Sequence, residues 1–119
     1  MECYLDNSAT TKPCKAAVDA EISALTELYG NPSSLHQKGV DAYMLLEKSR
    51  GTIAASLKAS PDEIYFTPCG TVSNNTAIFG AVGAKKRLGK KIVTTALEHP
   101  SVEKCMERLE ESGFEVVRV

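Results

Sequence analysis

Ile64-Tyr65-Phe66-Thr67-Pro68-Cys69-Gly70-Thr71-Val72-Ser73-Asn74-Asn75 is the stretch that decides the fold. It opens on three β-forming residues, turns at Pro68, and passes at Gly70 into a helical sequence that reaches about Arg87. Ala77, Ile78, Ala81 and Val82 supply the apolar face of that helix, and Gly80 and Gly83 allow close packing at some cost in helix propensity. Beyond Gly89, Lys91-Ile92-Val93-Thr94-Thr95 reads as a second strand. A further helix starts near Pro100-Ser101, turns Val102, Cys105, Met106 and Leu109 inward, and ends at Ser112-Gly113. Phe114-Glu115-Val116-Val117-Arg118-Val119 is a third strand. Strand, helix, strand, helix, strand is the order of an α/β fold with parallel strands and right-handed crossovers.

Toward the N-terminus the pattern is helical. One helix runs from near Pro13, with proline in its first turn, to Tyr29; Val18, Ile22, Leu25 and Tyr29 recur at helical spacing, and Gly30 is a natural terminator. A loop through Asn31-Pro32-Ser33 follows. Ser34, with Gln37 three residues on, is expected to form the capping box of a second helix. Tyr43, Leu46, Arg50, Ile53 and Leu57 share one stripe of it, with Arg50 at the border of the buried face, and Ser60-Pro61-Asp62 breaks it. The expected division is an N-terminal arm with two helices over 1–60 and the start of a parallel sheet over 61–119, together the N-terminal portion of one domain. A parallel sheet has both faces covered. Three strands ending on a β-rich run therefore read as a piece of a larger sheet, with a marginal monomer expected.

Composition narrows the partners. The 119 residues are 43% hydrophobic and 24% charged, with a net charge of −1, which is ordinary for a globular chain and gives no footing for nucleic acid or an anionic membrane. No apolar run approaches the ~20 residues of a membrane span, and Met1-Glu2-Cys3-Tyr4-Leu5-Asp6 does not resemble a signal peptide, so the cytoplasm is expected. Cys3, Cys14, Cys69 and Cys105 form no Cys-x-x-Cys pair and no metal-ligand spacing; reduced, mostly packed thiols and no metal are expected.

Two places carry chemistry. Gly70 and Thr71 stand where a strand hands over to a helix, so free N–H groups and the helix dipole favour an anion, with Thr71 and Ser73 adding hydroxyls. The same residues also read as a plain helix cap. His99 follows the next strand at the mouth of the next helix, where ligands of open α/β sheets bind. Gly70 and His99 are therefore expected to face one crevice. An imidazole there stacks on a flat ring and moves protons near neutral pH, or simply caps or packs. His36 reads as structural or exposed, and Lys85, Lys86, Lys90 and Lys91 as solvated charges.

Four motifs lie along the chain in order: Asp6-Asn7-Ser8-Ala9-Thr10-Thr11, Gly30-Asn31-Pro32-Ser33-Ser34-Leu35-His36, the Phe66–Asn75 segment, and Glu98-His99-Pro100-Ser101-Val102. Together they resemble the N-terminal part of a cysteine desulfurase, in the class V aminotransferase family of fold-type I pyridoxal-phosphate enzymes. The resemblance covers nearly the whole chain and about the first third of a typical member. It implies that Gly70 and Thr71 hold the cofactor phosphate and that His99 stacks on the cofactor ring and assists proton transfer. It implies L-cysteine as parent substrate, a persulfide passed to a sulfur acceptor or scaffold protein for iron–sulfur cluster assembly, and a homodimer or a missing C-terminal portion as partner. The two N-terminal motifs would line the substrate side without a catalytic role.

The match departs from the family's usual Phe-Thr-Ser-Gly-Gly-Thr-Glu-Ser at Pro68, Cys69 and Val72. Pro68 removes a backbone donor beside the phosphate position. Cys69 is expected as a small packed residue. No position matches the family's cofactor-holding lysine, its ring-nitrogen aspartate, its persulfide cysteine or its carboxylate-binding arginine. The isolated chain is therefore expected to be inactive, with weak or absent cofactor binding. A selenocysteine lyase or another class V lyase stays open as the parent, and so does a non-catalytic module that binds a phosphate-bearing ligand or a partner.

Overall fold

The computed structural model describes residues 3–119. They form two compact units, one ending at Ile64 and the other spanning Tyr65–Val119.

The N-terminal unit holds α1 (Lys15–Thr26), α2 (Gln37–Leu57) and a 3-10 turn over Pro61–Glu63. Helix α1 buries none of its residues: the stripe of Val18, Ile22, Leu25 and Tyr29 is apolar but exposed. Its N-cap is Cys14, whose side chain makes no cap bond. The preceding polar segment closes on itself instead of capping α1. Ala9 and Thr10 N–H groups both donate to the Asp6 carbonyl, and the Tyr4 hydroxyl donates to the Thr10 carbonyl at 2.9 Å.

Gly30 does not end α1, which stops at Thr26. Its role is close approach: a Cβ there would lie 2.0 Å from the Lys38 carbonyl oxygen. Gly39 meets the loop from the other side, where a Cβ would fall 2.2 Å from the Ser34 carbonyl oxygen and 2.8 Å from that of Asn31. Asn31-Pro32-Ser33-Ser34 is thus clamped against the first turn of α2 by two glycines. The expected Ser34 capping box is not formed. The N-cap of α2 is His36, whose Nδ1 accepts from the Gly39 N–H at 3.3 Å. Ser34 is occupied in the loop, its N–H donating to the Asn31 carbonyl, and Gln37 donates to Asp41.

Helix α2 ends on Lys58 in the left-handed region. Arg50 is more than a border residue, since its guanidinium donates to Glu47 and to the Ile64 carbonyl, fastening the helix to the segment after the 3-10 turn. In α2 the tightly buried residues are the small Gly39, Ala42 and Ala54, while Tyr43 and Leu57 are exposed.

The C-terminal unit is a β-α-β crossover with a helix before it: α3 (Gly70–Lys85), β1 (Lys91–Thr94), α4 (Pro100–Glu111) and β2 (Glu115–Arg118). The strands pair in parallel with Ile92 opposite Val116 and Val93 opposite Val117. Bonds from Ala96 N–H to the Val119 carbonyl and from Val119 N–H to the Thr94 carbonyl carry the ladder past the strand ends. Residues 64–66 do not form the expected strand, and Tyr65 is 80% exposed. A strand is made by pairing as much as by propensity, and the two-stranded sheet of the described residues pairs only β1 with β2.

The core of this unit is narrow and belongs to α4. Cys105, Met106 and Leu109 are buried, as the spacing predicts, with Val102 half-buried. Helix α3 buries none of its residues fully; Ile78 and Val82 are half-buried. No neighbour lies within 4 Å of a Cβ built at Gly80 or Gly83, so the expected close packing is absent there. Arg118 on β2 reaches back to α4, with 2.6 Å to Glu103 and 2.8 Å to Glu110, and Lys91 pairs with Glu115 across the strand starts. Among the described residues no helix is long and apolar enough to cross a membrane. The thiols are free, and only Cys105 is buried; Cys69, expected to be packed, is exposed.

Candidate functional site

Helix α3 begins at Gly70 without help from a side chain. Its N-cap, Cys69, is fully extended (φ −164°, ψ 166°) and makes no side-chain cap bond. The first closing bond runs from the Ser73 N–H to the Cys69 carbonyl at 3.1 Å. The N–H groups of Gly70, Thr71 and Val72 therefore emerge at the helix end with no carbonyl of their own helix to meet. No acidic residue stands in this first turn, so nothing there competes with an incoming anion for the positive end of the dipole.

Gly70 is open on its outer side. A Cβ there would meet nothing within 4 Å, and the residue does not lie in the left-handed region. Neither backbone conformation nor internal packing asks for glycine, in contrast to Gly30 and Gly39. Thr71 is exposed. The Ser73 hydroxyl, expected as a third anion donor, is engaged within the turn by the Thr67 hydroxyl and the Cys69 carbonyl. Ser73 and Thr67 thus brace the turn that presents Gly70 and Thr71.

His99 is the N-cap of α4. Its Nδ1 accepts from the Ser101 N–H at 3.1 Å and lies 2.8 Å from the Ser101 Oγ. The plain reading of this histidine as a helix cap is therefore realised, and it uses only one ring nitrogen. Ser101 is itself buried and receives a bond from Asn74 Nδ2 at 2.8 Å. Asn74 stands one helical turn beyond Gly70 on α3, which packs against α4. A hydrogen-bonded chain thus runs from the first turns of α3 through Ser101 to the His99 ring. Asn74 and Ser101 carried no separate signal in the sequence, because their contact spans 27 residues. Deeper in α4, burial raises the Cys105 thiol pKa, and its Sγ donates to the Ser101 carbonyl.

His36 caps α2 within the N-terminal unit, and the Asp6–Thr11 segment is satisfied by its own turn. Among the described residues no group of three or more His, Cys, Asp and Glu side chains is placed to hold a metal. The C-terminal unit thus offers two separate features: a helix start with no side-chain cap and an open glycine, where free N–H groups favour an anion, and a histidine anchored through one nitrogen.

Residues 3–119 match the model of the aminotransferase class-V family, and the chain belongs to that family. Within it, the chain is similar to the NifS/IcsS protein homolog of Lactobacillus delbrueckii subsp. bulgaricus, with 49% identity over 98% of this chain and 30% of the relative. It is 42% identical to the cysteine desulfurase NifS of Azotobacter vinelandii over 97% of this chain and 29% of the relative. Among solved structures, a NifS-like protein superposes with a TM-score of 0.90 at 37% identity, covering 100% of this chain and 33% of that one. The structure of SspA in complex with cysteine superposes with a TM-score of 0.83 at 29% identity, covering 94% of this chain and 32% of that one. The chain thus shares the fold of a NifS-like protein over about a third of that protein's length, and it spans about 30% of the length of the curated relatives it matches.

Proposed function

We propose that this chain carries the phosphate-facing and ring-facing part of the cofactor site of a pyridoxal-phosphate-dependent cysteine desulfurase acting on L-cysteine. Gly70 and Thr71 bind the cofactor phosphate through main-chain N–H groups and the Thr71 hydroxyl. His99 lies along the cofactor ring and holds or moves a proton at Nε2, the nitrogen its cap does not use. When bound, the cofactor supplies the electron sink that weakens bonds at the substrate's α-carbon. The observation that carries this reading is the open, uncapped start of α3 tied through Asn74 and Ser101 to His99. It is supported by relatives whose names are those of cysteine desulfurases.

Turnover belongs to a longer assembly. No lysine of the chain matches the family's cofactor-holding lysine, so the chain alone is proposed not to release sulfur from cysteine. A homodimer or a C-terminal portion completes the site, and a sulfur acceptor receives the product. Joining residues 1–119 to the remaining two-thirds of a NifS-type relative tests this. The hybrid is expected to take up cofactor colour and to form alanine and sulfide from cysteine, while the chain alone does neither. A colourless, inactive but folded hybrid would contradict the proposal.

A second reading, a non-catalytic module that binds a phosphate-bearing ligand, is favoured by Pro68 and Val72, where the family's usual serine and glutamate are replaced. Restoring Pro68→Ser and Val72→Glu in the hybrid separates the two. A large gain in turnover favours the module for the natural sequence, and little change favours the enzyme.

A further inference from the structure

We propose that Ser101 and Asn74 are positioning residues that fix His99 in one tautomer, with its proton on Nε2. The inference deepens the proposed function and rests on it for catalytic meaning, but the tautomer itself follows from geometry alone. The Ser101 backbone N–H lies 3.1 Å from His99 Nδ1. A main-chain N–H can only donate, so Nδ1 must offer its lone pair, and the neutral ring keeps its hydrogen on Nε2. The Ser101 Oγ lies 2.8 Å from the same nitrogen and 2.8 Å from Asn74 Nδ2. Because Asn74 donates into Oγ, the hydroxyl hydrogen is left to point at Nδ1. The bonds run one way: Asn74 amide to Ser101 oxygen, Ser101 hydroxyl to Nδ1, Nε2–H outward.

Burial makes this arrangement strict. Ser101 is 8% exposed, so its hydroxyl has little water to turn toward, and reversing it would leave two donors facing each other. His99 itself is exposed, and Nε2 is the ring nitrogen that its cap leaves free. A ligand there is met by a hydrogen-bond donor, and Nε2 is the atom from which a proton is given. His36 lacks this second support: its Nδ1 accepts one bond, from the Gly39 N–H at 3.3 Å, and no hydroxyl faces it among the described residues.

The test is long-range 1H–15N correlation NMR on the full chain labelled with 15N-histidine, without ligand, at a pH where the imidazoles are neutral. The signals are assigned with His36→Asn. His99 is expected to show one protonated nitrogen, Nε2. Ser101→Ala keeps the main-chain donor but loses the hydroxyl, and should lower the Nε2–H to Nδ1–H ratio about fivefold, the worth of roughly one hydrogen bond. Ser101→Thr should restore it. Asn74→Asp is the reversing variant: its carboxylate only accepts, draws the Ser101 hydroxyl away from Nδ1, and should lower the ratio although Ser101 is present. That isosteric change on a half-buried helix position keeps the test decisive if Ser101→Ala fails to fold. A His99 proton on Nδ1 or averaged over both nitrogens in the natural sequence overturns the proposal. A ratio that neither Ser101→Ala nor Asn74→Asp moves overturns it equally. Because no ligand is present, these outcomes are independent of whether the chain binds a cofactor.

Discussion

Both histidines of this chain cap a helix through Nδ1, yet the two turns are built to opposite ends. Around His36 the backbone closes on itself, and Gly30 and Gly39 are glycines because a Cβ at either would strike a carbonyl at 2.0–2.2 Å. At Gly70 the space stays open, with no neighbour within 4 Å of a Cβ built there. One region uses glycine to let protein approach protein. The other uses it where no protein atom stands. The difference teaches which glycines the chain's own packing requires: Gly30 and Gly39 are required by close approach, whereas packing requires none at Gly70, nor at Gly80 or Gly83.

The comparison breaks most readily at those glycines. Gly39→Ala is expected to destabilise the chain by about 3 kcal/mol or more, because the new methyl meets two main-chain oxygens that cannot turn aside. Gly70→Ala, the same substitution, should leave stability unchanged or raise it by about 0.5 kcal/mol. It should weaken binding of a phosphate-bearing ligand about tenfold through the methyl placed in the ligand's space, an effect near 1.4 kcal/mol. Urea melts read the first effect and ligand titrations the second. If Gly70→Ala unfolds the chain and Gly39→Ala does not, the contrast is inverted and the site assignment falls.

A smaller effect sharpens it. Asparagine is a good N-cap, so His36→Asn and His99→Asn should each change stability by less than about 1 kcal/mol. Ligand binding should weaken only in His99→Asn. Equal effects of the two variants on binding would reduce His99 to a cap like His36.

Helix α4 was legible from spacing because its apolar face is largely covered: of the four residues the pattern selects, Cys105, Met106 and Leu109 are buried and Val102 is half-buried. The stripe on α1 obeys the same spacing and is exposed. Periodicity reports which face is apolar and says nothing of what lies over it. Gly70, Thr71 and His99 stand at helix starts, as the sequence predicts, but only His99 follows a strand, since 64–66 forms none; the Asn74–Ser101 contact was not legible, since it joins two helices. His36 was passed over as a cap because Ser34 has the more usual capping side chain. The strand read at 64–66 failed because β propensity does not provide a partner.

The smallest expected effect lies at the back of α4. A hydrogen bond from Arg118 holds the Glu110 carboxyl below its ordinary pKa. A carboxyl depressed in the folded state contributes stability that is present above its unfolded pKa and lost as pH falls through the folded one. The exposed pair is screened, so the contribution is slight. Urea midpoints followed into acid should fall a little less steeply in Arg118→Gln than in the natural chain. Binding at the Gly70 end should be untouched, which keeps this face of α4 apart from the site.

The most direct measurement is an amide NMR titration of the 15N-labelled chain with pyridoxine 5′-phosphate. This ligand has the cofactor's ring and phosphate but no aldehyde to react with lysines. Weak binding, with a dissociation constant on the order of millimolar, should shift the amides of Gly70, Thr71 and Val72 and the His99 side-chain signals. The Asn31–Gly39 turn should stay still, and unphosphorylated pyridoxine should leave Gly70 and Thr71 unmoved. Shifts confined to Lys85–Lys91 or to the His36 turn, or no movement of Gly70 and Thr71 at saturating ligand, would contradict the account.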